Sequence, residues 1–305
     1  MDSGNGEDDQ YSFKIPLGPT GEDFQLHTKN GVGEIQRANI IDDSSCSGLH
    51  LQAEIDRIVH GTDTENGVPV TLIVFGFHLN GFNDNRRIKS ATIEILFQDL
   101  QKRVPDEGHY YDPEVIALWP QGALQLSETS VEVQDTKGVE VGGDAGAMGL
   151  SINTAFKTER QRRFMQADKA TIHGSIRLDF DVRKHGPKNA IRLQLHENKT
   201  GRTGVVNHTR AVVLLQRKNQ DQFTATVKVD ASADILSNAK RTLQNLFGMA
   251  EENDPVIFKP GVDYISRSIS LDPDAGALGA YIDDKNLGLQ VHKLGVELKA
   301  SISPS

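Results

Sequence analysis

Between residues 171 and 183 polarity alternates without a break. Ile172, Gly174, Ile176, Leu178, Phe180 and Val182 are apolar or small, and Thr171, His173, Ser175, Arg177, Asp179, Asp181 and Arg183 are polar. A period of two predicts a strand with one dry and one wet face. After the turn residues His185, Gly186, Pro187, Lys188 and Asn189, the alternation resumes with Ile191, Leu193 and Leu195. Residues 211–215 are apolar at both parities, as in a central strand covered on both faces, and Phe223, Ala225, Val227 and Val229 alternate again. Four strands with three short connections predict an antiparallel meander over 171–230.

Upstream, residues 70–79 are apolar at both parities, with Ile73, Phe75, Phe77 and Leu79 on one and Leu72 and Val74 on the other. This predicts a second doubly covered strand. The polar residues 80–89 then lead into Ala91, Ile93, Ile95 and Phe97 alternating with Thr92, Glu94 and Gln98, which predicts a hairpin of the two segments. Val115, Ile116, Leu118 and Trp119 form a strand ended by Pro120, with Trp119 as an anchor, and Leu124, Leu126, Val131 and Val133 continue the β rhythm. Residues 49–60 fit helical spacing through Leu51, Ile55, Ile58 and Val59, and alternation through Leu49, Leu51 and Ala53, so the pattern leaves both open.

One segment has the period of an amphipathic helix. Ile235, Leu236, Ala239, Leu243, Leu246 and Phe247 recur at helical spacing, with Asp234 able to cap the start and Gly248 the end. The expected fold is mainly β: an antiparallel β-sandwich or distorted barrel with this one helix and an acidic N-terminal arm. The expected organisation is an acidic, partly disordered arm over 1–67, a β-rich body over 68–260, and a tail over 261–305 with a possible extra hairpin.

Charge sharpens the first of those boundaries. Residues 1–67 hold 13 acidic and 4 basic residues, a net of −9 that equals the net charge of the whole 305-residue chain. The remaining 29 acids and 29 bases balance. A balanced body lacks the concentrated positive face that phosphate neutralisation needs, so no nucleic-acid partner is expected. Lys157, Arg160, Arg162 and Arg163 form a local cationic run, read as a solvated strand end or loop. The single cysteine, Cys46, excludes an internal disulfide, and its acidic neighbours disfavour a thiolate. The acidic first ten residues and the lack of any apolar run near the ~18 residues of a membrane span predict a cytoplasmic protein.

Catalytic signatures are absent from the pattern. The small-residue run with Gly142, Gly143, Gly146 and Gly149 lacks the Gly-Lys-Ser/Thr ending of a phosphate loop, and the ten histidines show no ligand spacing, so no cofactor and no metal are expected. Asp272, Asp274, Asp283 and Asp284 lack the alternating oxygen register of a calcium loop. The densest polar group between two strands is His196, Glu197, Asn198, Lys199 and Arg202, the candidate binding loop.

Ser90-Ala91-Thr92-Ile93-Glu94-Ile95, Asp112-Pro113-Glu114-Val115, Glu197-Asn198-Lys199 with Gly204, and Asp254-Pro255-Val256-Ile257-Phe258 together resemble an uncharacterised β-rich protein family of filamentous fungi. The resemblance covers 70–260 and departs at Leu193, where an aromatic residue is expected. It implies a fungal, cytosolic, β-rich protein and carries over no catalytic residue. The favoured expectation is a non-enzymatic binding or interaction module for a protein or small-molecule ligand. One alternative is an enzyme or carrier with a pocket inside the β body. A second is a membrane-active β protein in which residues 139–149, followed by Leu150, Ile152 and Phe156 and the cationic run, form one arm of an amphipathic hairpin.

Overall fold

A computed structural model of the chain describes residues 14–16, 28–43, 49–81, 87–106, 108–137, 160–233, 253–265, 273–283 and 286–288. Thirteen strands run in chain order: β1 (Lys14–Pro16), β2 (Asn39–Asp43), β3 (Leu49–Thr62), β4 (Pro69–Gly81), β5 (Ile88–Asp99), β6 (Glu114–Trp119), β7 (Gly122–Lys137), β8 (Arg160–Arg177), β9 (Ala190–His196), β10 (His208–Gln216), β11 (Phe223–Ala233), β12 (Val256–Phe258) and β13 (Tyr264–Ile265). They form two antiparallel sheets that do not close into a barrel. The seven-stranded sheet has the order β1-β11-β5-β9-β8-β7, with β12 also on β11, and the six-stranded sheet has the order β13-β3-β4-β10-β6, with β2 also on β3.

The core lies between the sheets. Ile55, Ile73, Phe75, Phe77 and Val213 from the six-stranded sheet meet Ile93, Ile95, Phe97, Ile191 and Leu193 from the seven-stranded one. Each such side chain, fully buried, contributes about 1.5–3 kcal/mol. A second cluster covers the outer face of the six-stranded sheet, where Leu72, Val74, Val212 and Leu214 pack against Leu278 and Leu287, with Trp119 half-buried beside them. That second cover is why β4 and β10 are apolar at both parities, as their sequences require. In β5 burial alternates strictly from Ala91 onward, which leaves one face of the seven-stranded sheet wet.

The doubly apolar strands also overturn two expected connections. The segment 171–230 is not a meander, because β10 leaves the seven-stranded sheet and sits between β4 and β6, while β9 and β11 both pair with β5. Nor do the segments 70–79 and 91–97 form a hairpin, since β4 pairs with β3 and β10. A strand with two apolar faces needs cover on both, and among the described residues the six-stranded sheet has it.

Two boundaries move as well. The strand begun at residue 171 ends at Arg177, and Phe180 is 57 % exposed. The chain turns there because the Asp179 carboxylate accepts the Asp181 and Val182 N–H groups while Asp179 N–H donates to buried Asn189 Oδ1. The body starts before residue 68, since β3 pairs with β4 from Leu49↔Gly81 to Thr62↔Pro69 and contributes Leu51, Ala53, Ile55 and Ile58 to the core. Residues 49–60, open between helix and strand by pattern, are strand. The helix expected over 234–248 lies outside the described residues, as do residues 289–305 of the expected C-terminal hairpin. Among the described residues the helical content is a 3-10 turn at Leu278–Tyr281 and a few residues near 287.

Candidate functional site

β7 and β8 pair from Gly122↔Gly174 to Lys137↔Arg160, with a register shift between Gln125 and Ser127. The next strand, β9, reaches along β8 only to Thr171, opposite His196. Beyond that point Ser127–Lys137 and Arg160–Ala170 pair only with one another among the described residues. Eleven residues per strand at about 3.3 Å each make a two-stranded ribbon about 36 Å long. The bulge at its base adds local twist where the ribbon leaves the sheet. The residues between the ribbon's two strands, 138–159, lie outside the described residues, and with them the expected amphipathic arm and Lys157. Arg160, Arg162 and Arg163 belong to β8.

The foot of the ribbon is held by a close approach. A Cβ on Gly174 would fall 1.8 Å from the Pro120 carbonyl oxygen, and Gly122 takes a φ of 72°. Glycine at both positions lets the β6–β7 connection cross against β8.

The loop selected from sequence sits at the same end of the sandwich, because His196 is the β9 residue opposite Thr171. Its five residues do different work. Glu197 is buried, and its Oε2 accepts from Arg87 Nε at 2.8 Å and from Gly204 N at 3.2 Å. Asn198 is fully buried, its Oδ1 accepts from Gly201 N at 2.8 Å, and its carbonyl accepts from Arg202 N. These two side chains shape the loop. His196, Lys199 and Arg202 are exposed.

Sequence reading passed over a second polar group, on the outer face of the six-stranded sheet where β3, β4 and β10 meet. The rings of His78 and His208 stack with centroids 4.1 Å apart and 7° between planes. His78 Nε2 lies 3.1 Å from Glu54 Oε1, and Arg210 Nε donates to Asp56 Oδ2 at 2.5 Å, with both members of that pair buried. Burial, with His78 and Arg210 nearby, pushes the His208 imidazole down to about 4. The available signal was a histidine and an arginine interrupting otherwise apolar strand sequences.

Elsewhere among the described residues several ionisable groups pair with one another. Asp99 takes a two-point ion pair from Arg103, Asp112 accepts from Asp99 N and from Arg183 Nη1, and the Arg183 guanidinium lies over the Tyr110 ring. A cavity of about 140 Å³ on the wet face of the seven-stranded sheet is bordered by Glu94, Arg177, Thr226 and Lys228. It is smaller than the ~300–1,000 Å³ of ordinary small-molecule sites. Asp274 lines an open depression, where its Oδ1 accepts from Gly276 N. Among the described residues no three His, Cys, Asp or Glu side chains are grouped to hold a metal ion, and no helix is long and apolar enough to cross a membrane.

No family model matches the chain, and no curated protein matches it either. Among solved structures the chain is similar to the Clostridium perfringens NetB toxin in its membrane-inserted form, over 83 % of this chain and 93 % of that one, at 7 % identity and a TM-score of 0.22. A likeness of that size assigns neither fold nor function.

Proposed function

We propose that the protein is a non-enzymatic interaction module whose working part is the β7–β8 ribbon and whose target is a lipid bilayer. The observation that carries this reading is the ribbon's length beyond its last contact with a third strand, eleven residues on each side. A two-stranded ribbon in water is marginally stable, and among the described residues both its edges offer unpaired backbone groups. Such a structure calls for further strands, and copies of the same ribbon side by side supply them with every edge closed, the condition for β structure inside a bilayer.

The ribbon itself is rich in charge, with Glu128, Glu132, Asp135, Arg160, Arg162 and Arg163 among its residues, and is suited to water. The residues it carries at its far end have a different sequence. Val139, Val141, Leu150, Ile152 and Phe156 stand among small and polar residues, and the 138–159 segment is long enough for two crossings of about 9–11 residues. The ribbon then acts as a stem that presents this segment to lipid.

The test is dye release from vesicles of neutral lipid and of mixed neutral and anionic lipid, using the full chain at micromolar concentration. Release is expected, and Leu150→Asp abolishes it while leaving the folded β body unchanged by circular dichroism. Absence of release from both vesicle types overturns the proposal.

A further inference from the structure

The stacked histidines lie at an end of two strands. His208 is the first residue of β10, His78 is near the end of β4, and the two are register partners. Beyond them one backbone bond, Leu79 N to Asn207 O at 2.8 Å, ties the loop 197–207 to β4.

The charges facing this pair come from three strands. β3 supplies Glu54, on His78, Asp56, on Arg210, and His50, opposite Asn80 on the same face; β4 supplies His78 itself; β10 supplies Arg210. His78 Nε2 has a carboxylate beside it, Glu54. A proton on His208 has no such partner: its Nε2 is buried without a hydrogen-bond partner, its ring lies 4.1 Å from His78, and Arg210, two residues along the same face, already holds Asp56. An imidazolium so placed, beside a buried guanidinium, is repelled in a poorly hydrated place.

We propose that the β4–β10 junction is an acid-operated clasp, in which protonation of His208, stacked on His78 beside Arg210, drives the start of β10 from β4 and releases residues 206–208. The charged His208 ring reaches water by fraying at a strand end, which breaks few backbone bonds, whereas any motion of the central part of β10 would open the core. The rest of the loop stays anchored by Glu197, Asn198 and the bond from Val205 N to Ile88 O. The clasp stands whether or not the ribbon acts on membranes, since its readout is local exchange in solution.

Amide hydrogen exchange of the full chain at pH 7 and pH 5, corrected for the intrinsic pH dependence of exchange, tests it. Residues 77–80 and 207–211 are expected to exchange at least about tenfold faster at pH 5, since each pH unit below the free-histidine value raises the open-to-closed ratio about tenfold for a clasp whose closed form excludes the proton. Residues 93–97 and 191–195 are expected to stay protected. His208→Gln, which cannot carry the charge, removes the difference, and His78→Gln, which removes the stacked ring, reduces it. Equal protection at the two pH values, a uniform loss across both sheets, or a pH response unchanged in both variants overturns the clasp. Should His208→Gln fail to fold, the ring C–H titration of His208 in the unaltered chain decides: a shift coincident with the loss of protection supports the clasp, and a free-histidine titration at pH 6.5 without exchange change overturns it.

Discussion

The carbonyl oxygen of Pro120 occupies the space where a Cβ on Gly174 would stand, 1.8 Å away. The crossing of the β6–β7 connection over β8 therefore depends on a missing side chain, and the foot of the ribbon depends on that crossing. Gly174→Ala forces the backbone of one strand to shift, at a cost of about 1–3 kcal/mol for an overpacked site. A lowered midpoint in thermal unfolding is expected, with proteolysis of the native state increasing in β7 before β5. An unchanged midpoint would show that the crossing is not tight.

Asp56 and Arg210 form a buried ion pair, with side chains 3 % and 8 % exposed. Removing one partner leaves the other charged and dry, so Asp56→Ala is expected to destabilise by about 3–5 kcal/mol. The double variant Asp56→Ala with Arg210→Met removes both charges and recovers a large part of that loss. Denaturant unfolding of the three variants checks this, and a double variant no more stable than the single one would mean that the pair is held by contacts other than its own charges.

How far the sequence reaches can be argued from the same strands. β4 and β10 were legible because Leu72, Val74, Val212 and Leu214 are apolar on the face opposite the core. Their place in the second sheet was not legible, since the cover comes from Leu278 and Leu287, far along the chain. Phe180 and Val182 kept the alternation after the strand had ended, because the turn is made by Asp179 and by Asn189, which residue polarity does not distinguish from a wet strand face. In the candidate loop, polarity marked Glu197 and Asn198 as exposed ligands. Their partners Arg87, Gly204 and Gly201 turn them inward, and Arg87 is distant in sequence.

That division within the loop has a measurable consequence. Glu197→Ala removes the carboxylate that Arg87 Nε donates to, and leaves the buried Gly204 N–H without its acceptor. A loss of about 1–3 kcal/mol is expected for the buried group left unsatisfied. Lys199→Ala, at an exposed position of the same loop, is expected to stay within about 0.5 kcal/mol of the unaltered protein. Chemical denaturation of both variants separates anchor from surface, and equal losses would contradict the assignment.

His60 makes the stability depend on pH, and the sign can be worked out. Its Nδ1 lies 2.9 Å from Thr71 Oγ1 and its Nε2 3.1 Å from Gln36 Oε1, on a residue that is 8 % exposed. The amide oxygen of Gln36 accepts, so Nε2 carries the proton and Nδ1 accepts from the Thr71 hydroxyl: the neutral ring satisfies both partners. Burial, and then the nearby Arg217 charge, pushes the imidazole down to about 4 from its ordinary 6.5. Between those two values the unfolded chain binds a proton that the folded chain does not. The stability His60 contributes is therefore fully present above about pH 6.5 and is lost as pH falls toward 4, by up to about 1.4 kcal/mol per pH unit. Thermal midpoints of the unaltered protein are expected to be flat from pH 8 to 7 and to fall steadily below 6.5. His60→Gln keeps a polar side chain without the titration, so its stability starts lower at pH 7 and falls less steeply, and parallel curves for the two proteins would show that His60 is not the group responsible.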